Sequence, residues 1–194
     1  MPSALRPLLL LAMLLVFGPA SAAEDRLGVP GPIAFSGERF ALAWTAEPQP
    51  GYRKQEYLPA GQTLGRFEAM ILVEFMQGEA RPGDLVRAQT QMLDERRTFD
   101  PIANYKILVA DEGDAIILDF LLSGETEDGT QIAEWNAYRY VSGPDPSGEA
   151  GVWLAGISRR AYGDDVMPFL EALRDGRSGD VAALAGLALP PAGN

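Results

Sequence analysis

The sequence predicts an α+β fold: an antiparallel twisted sheet of about six to seven strands with two main helices packed on it. Three observations lead there. Segments dense in β-branched and aromatic residues recur along the chain, separated by short turns rich in Gly, Pro and Asp. Two other segments, one central and one near the C-terminus, space their apolar residues at helical intervals. The strands after the first helix are joined by polar turns too short for crossover helices, so they form a meander.

In chain order, residues 1–22 are expected to be a cleavable secretory signal. Arg6 is the one charge ahead of the apolar run Leu8 to Phe17. Ten apolar residues fall short of the roughly 20 that a membrane span needs. Gly18 and Pro19 break the run, and Ala20-Ser21-Ala22 supplies small residues for cleavage before Ala23. No Cys follows, which excludes a lipid-anchored lipoprotein, and the expected location is the periplasm or the medium. Residues 23–37 form a Gly/Pro-rich N-terminal arm, expected to lie extended on the surface. Residues 38–189 are expected to fold as a single globular domain, with 190–194 as a tail.

Within that domain, Phe40, Leu42 and Trp44 alternate with Arg39, Ala41 and Ala43, which predicts a half-buried strand. Pro48-Gln49-Pro50-Gly51 turns the chain. Tyr52 to Leu58 reads as a polar edge strand completing a hairpin. Residues 68–76 carry apolar side chains on both parities and read as a central strand, although Leu64, Phe67, Ile71 and Phe75 would also fit a helical stripe. Pro82-Gly83-Asp84 starts a helix with Asp84 as N-cap, and Leu85, Ala88, Met92 and Leu93 form its apolar stripe. Strands are then expected at 105–110, 115–122, 132–141 and 152–161. Asp164-Asp165 caps a second helix that buries Val166, Phe169, Leu170 and Leu173, and a weaker Ala-rich helix spans 180–188. No internal repeat is present.

In element order and size, residues 38–175 resemble the Mog1/PsbP-like α/β sandwich. The resemblance lies in architecture and brings no family motif, so no functional residue is transferred by it. It implies a small accessory protein of an exported or organellar kind.

Composition excludes more than it assigns. The 194 residues include no His and no Cys. Ser-His-Asp and Cys-His catalysis are therefore ruled out within the chain, and the usual zinc ligands are missing. No metal site and no cofactor are expected. With Arg6 removed, the net charge of −11 becomes −12, a field that repels nucleic acid and anionic membrane. Carboxylate chemistry, hydroxyl or Lys chemistry, hard cations and plain binding remain.

The candidate ligand-binding residues are Asp119, Glu134, Asn136, Tyr138, Tyr140 and Arg159. Asp119 interrupts the apolar run Ile116 to Leu122, so it needs solvent or a partner, and Arg139 or Arg159 on neighbouring strands could provide one. Glu134, Asn136, Tyr138 and Tyr140 share one parity, with Trp135 and Arg139 on the other. Such a face suits a small polar ligand, and cross-strand pairing for stability is the plainer reading. The acidic turns Asp111 to Asp114 and Glu125 to Gly129 offer oxygen ligands to Ca²⁺, without the spacing of an EF-hand. No catalytic residue is assigned. The expected function is a non-catalytic accessory or binding protein with an unknown protein or small polar ligand of the cell envelope as partner. The alternatives are a carboxylate-dependent hydrolase of envelope glycans and a calcium-stabilised envelope component.

Overall fold

The computed structural model describes residues 23–110 and 114–190. The expected signal segment, three residues of the acidic turn at 111–114 and the last four residues lie outside them. Eight strands form one wholly antiparallel sheet: β1 (Ile33–Phe35), β2 (Glu38–Gln49), β3 (Tyr52–Pro59), β4 (Ala69–Gln77), β5 (Asn104–Val109), β6 (Ile116–Glu125), β7 (Gln131–Pro144) and β8 (Ala150–Tyr162). Their spatial order is β1-β2-β3-β4-β8-β7-β6-β5. Two four-stranded meanders thus meet where β4 pairs with β8, and the sheet curves into a half-barrel. Helix α1 (Pro82–Arg96) carries the chain from the central strand β4 to the far edge. Helix α2 (Val166–Ala185) follows β8 through a 3₁₀ turn at Gly163–Asp165.

The fold is α+β, but the expected sheet of six to seven strands is one of eight. The additional strand, β1, lies inside what reads as an arm, and three residues are too few to show a hydropathy period. Its signal is the turn that follows. Ser36 and Gly37 both have positive φ, 47° and 82°, the two-residue geometry that suits a hairpin between Phe35 and Glu38. The arm is also less superficial than expected. Leu27 is fully buried, and Asp25 accepts the amides of Leu27 and Val29 at 3.0 and 2.9 Å.

β3 is not an edge. It lies between β2 and β4, and its polar side chains point into the protein instead of along a rim. The α1 stripe is shifted by one position: Pro82, Val86, Thr90 and Leu93 are buried, while Met92 is exposed. Asp84 stands at the third helical position, not at the cap, and accepts the Arg81 amide at 3.2 Å. The Ala-rich stretch from 180 continues α2 as one helix.

The two helices cover opposite faces. Phe169, Leu173, Val181 and Leu184 of α2 pack on Ile71, Val73, Trp135, Ala155 and Ile157. Val86 and Leu93 of α1 pack on Leu118, Phe120, Tyr140 and Val152. On that second face, Phe67 and Leu64 from the β3–β4 connection cover Leu58, Met70 and Leu72.

Candidate functional site

Strand alternation divides the six candidate residues between the faces. Asp119 and Arg159 point toward α2; Glu134, Asn136, Tyr138 and Tyr140 point toward α1. The sheet does not bring all six together.

Asp119 is buried, and neither expected arginine pairs with it. It accepts the Trp135 indole N–H at 2.8 Å and faces Arg177 of α2 at 3.5 Å. Arg159 instead bonds Glu38 at 2.6 Å and Asp180 at 2.9 Å. Arg139 donates to the Leu187 carbonyl at 2.8 Å. Apart from Trp135 on the neighbouring strand β7, every partner that displaces the expected pairing comes from α2, the segment after it, or β2. These groups fasten the helix to the sheet.

On the α1 face the candidates form two groups. Glu134, Asn136, Ser158 and Arg160 close on one another. Arg160 Nε donates to Glu134 at 2.6 Å, Asn136 donates to Glu134 at 3.1 Å, and Ser158 donates to Asn136. Arg160 also stacks on Phe67, 4.0 Å from the ring centre. Burial works against the Arg160 charge, but Glu134 and Tyr162 beside it raise its pKa overall. This network leaves little hydrogen-bonding capacity for a ligand.

The second group surrounds Tyr138. Tyr138 and Leu154 are half-buried and pack against both apolar clusters of this face. They therefore join the apolar cluster under α1 to the one under the β3–β4 connection. Antiparallel register sets Tyr140 beside Leu154, Glu74 beside Leu154 and Lys54, and Glu56 beside Leu72. Glu74 engages both carboxylate oxygens: Tyr52 donates to one at 2.6 Å, and Lys54 lies 3.0 Å from the other. Glu56 has no hydrogen bond or ion pair among the described residues. Burial pushes its carboxyl above the usual range; Lys54 pulls it back, and Glu74 adds to the rise. Burial raises the phenols of Tyr52, Tyr138 and Tyr140 as well, so all three stay protonated and able to donate.

Tyr52, Lys54, Glu56 and Glu74 are absent from the sequence-derived set. Their signal was available in part, because Tyr52, Lys54 and Glu56 share a parity and Glu74 interrupts an apolar run as Asp119 does. Reading β3 as an edge turned that parity toward solvent and hid the match.

The arrangement supplies neutral phenols, one engaged carboxylate and one unengaged carboxyl beside apolar surface. It can hold a polar ligand by hydrogen bonds. Glu56 and Glu74 are two acids on this face, and Glu74 is occupied by Tyr52 and Lys54. Two hollows lie on other parts of the surface. One, of about 440 Å³, is bounded by Asp25, Pro30, Pro32 and Leu42; the other lies along Arg87, Gln91, Asp94 and Thr98. Both are open and shallow.

Among the described residues no group of three or more acids is placed to hold a metal ion. In the turn at 125–129, Asp128 accepts the Thr130 amide and hydroxyl at 3.2 and 2.9 Å. Bonds from Thr126 and Thr130 lower its pKa to about 2. Asp111 to Gly113 lie outside the described residues. No described helix is long and apolar enough to cross a membrane.

A protein-family model matches residues 27–189, from the arm through α2, and the chain belongs to that uncharacterised family. No curated protein matches it.

Proposed function

We propose that the protein is an exported, non-catalytic binding protein of the cell envelope that holds a small polar ligand or a partner's polar side chains on the α1 face of the sheet. The observation that carries this reading is Glu56. Its carboxyl is half-buried, takes no hydrogen bond or ion pair from the described residues, and stands among Leu72, Lys54 and Glu74 on the α1 face, so it is free to accept from a ligand. The lack of His and Cys supports binding over catalysis, as does the engagement of Glu74. The Mog1/PsbP-like element order and the expected signal segment support an accessory role outside the cytoplasm.

The test is native mass spectrometry of the mature protein purified gently from the envelope fraction of its exporting host. Wild type is expected to carry a reproducible adduct or companion subunit. The double variant Glu56→Gln, Tyr138→Phe should lose it while melting as wild type does. A bare wild-type monomer overturns the proposal, and an adduct that survives the double variant overturns this location.

A further inference from the structure

We propose that the protein forms a two-fold dimer by antiparallel pairing of β5 with β5 of a second copy. β5 ends the sheet, so one row of its backbone N–H and C=O groups has no strand beside it. Exposed edges are usually blunted by proline, bulges, short length or repeated charge. β5 has six residues in unbroken register with β6, contains no proline and carries one charge, Lys106. The opposite edge, β1, has three residues.

Exposed apolar side chains concentrate at the same place. Of the five large hydrophobic residues exposed among the described ones, Met92, Phe99, Ile107 and Val109 all lie on β5, on α1 or on the connection between them. Val109 is 67% exposed and Ile107 44%.

Register argues for a second copy as the occupant. With the two-fold axis at Ile107, Ile107 faces its own copy and Tyr105 faces Val109, all on the α1 side. These are β-branched and aromatic pairs of the kind that stabilise antiparallel strands. Lys106 then faces Leu108. A register centred on Lys106 would oppose two like charges and is disfavoured.

Charge bears on the same edge. A chain of net charge −11 repels its copy wherever acids dominate. On the adjoining helix α1, Asp84 pairs with Arg87 at 3.0 Å and Asp94 with Arg97 at 3.5 Å, and the one charge on β5 itself is the positive Lys106.

Sedimentation velocity of the mature protein across a concentration series tests the proposal. Wild type should show a monomer–dimer equilibrium. Ile107→Lys and Val109→Lys should each sediment as monomer with unchanged circular dichroism and melting. Because the chain has no Cys, Ile107→Cys should yield a disulfide-linked dimer on mild oxidation, whereas Ala41→Cys on β2 should not. A wild-type monomer at every concentration overturns the proposal. So does a dimer that persists in both lysine variants while Ile107→Cys fails to cross-link.

Discussion

Tyr138 can lie across β8 because position 156 has no side chain. A Cβ built on Gly156 would stand 2.7 Å from Tyr138 Cδ1 and 2.9 Å from Cε1, closer than packed carbon atoms tolerate. Gly156→Ala should therefore displace the Tyr138 ring and destabilise the fold by about 1–3 kcal/mol, the usual cost of overpacking. Chemical denaturation with near-ultraviolet circular dichroism reads both effects. Gly65→Ala, where nothing lies within 4 Å of the added carbon, should change stability by no more than ~0.5 kcal/mol. Asp119 shows how much single residues disclosed. Its place in an apolar run announced a carboxylate in need of a partner, and it has two. Trp135 comes from the paired strand β7, whereas Arg177 depended on the docking of α2, about which local pattern contains nothing.

Of the α2 residues, only Leu184 is fully buried, so polar contacts hold much of the helix in place. Asp180 is their centre. It accepts from Ser36 at the β1–β2 turn, 2.5 Å away, and from Arg159 of β8, which also reaches Glu38 of β2. One carboxylate thus joins the helix to two distant strands and to the strand missing from the sequence reading. Asp180→Ala leaves the half-buried Arg159 with Glu38 alone. The expected loss is about 1–3 kcal/mol. Hydrogen exchange should increase in α2 and β1 before the β4–β8 seam. Equal loss of protection across the sheet would show that α2 does not open separately. The helices were legible in position because apolar spacing is local. Their buried stripes were less so: in α1, Thr90 faces inward and Met92 outward, since crossing angle, not hydropathy, selects the face that meets the sheet.

At the scale of the molecule, acid sensitivity follows from carboxylates that the fold engages. Burial alone would raise the pKa of Asp145, but bonds from Ser147, Arg53 and the amides of Ser147 and Glu149 lower it to about 2. Asp100 is lowered for a similar reason: against the effect of burial, it accepts from the hydroxyl and amide of Ser123 and from Arg96. A carboxyl with a depressed folded pKa contributes stability that is present above its unfolded value near 4 and is lost as pH falls through the folded value. Urea midpoints should therefore decline from about pH 4 toward pH 2. Asp145→Asn should be less stable than wild type at neutral pH and show a shallower acid decline. Glu56 has the opposite sign, since its raised pKa makes its contribution greatest below the ordinary range and smaller as pH rises through the folded value. A wild-type stability that stays flat below pH 4 would contradict these assignments.

Hydropathy periodicity and turn chemistry were enough to place seven of the strands and both helices, because each depends on neighbours within a few residues. Absence of His and Cys was enough to remove whole classes of mechanism, because chemistry needs its atoms wherever the chain runs. The eighth strand required a partner to become visible, since three residues form a strand only by pairing. Strand order required the assembled sheet, and with it came the interior position of β3 and the meeting of Tyr52, Lys54, Glu56 and Glu74 with Tyr138 and Tyr140. These side chains lie up to 88 residues apart in sequence and share one face of the sheet because β4 pairs with β8. Long-range pairing is a property of the whole energy surface, and no local window contains it.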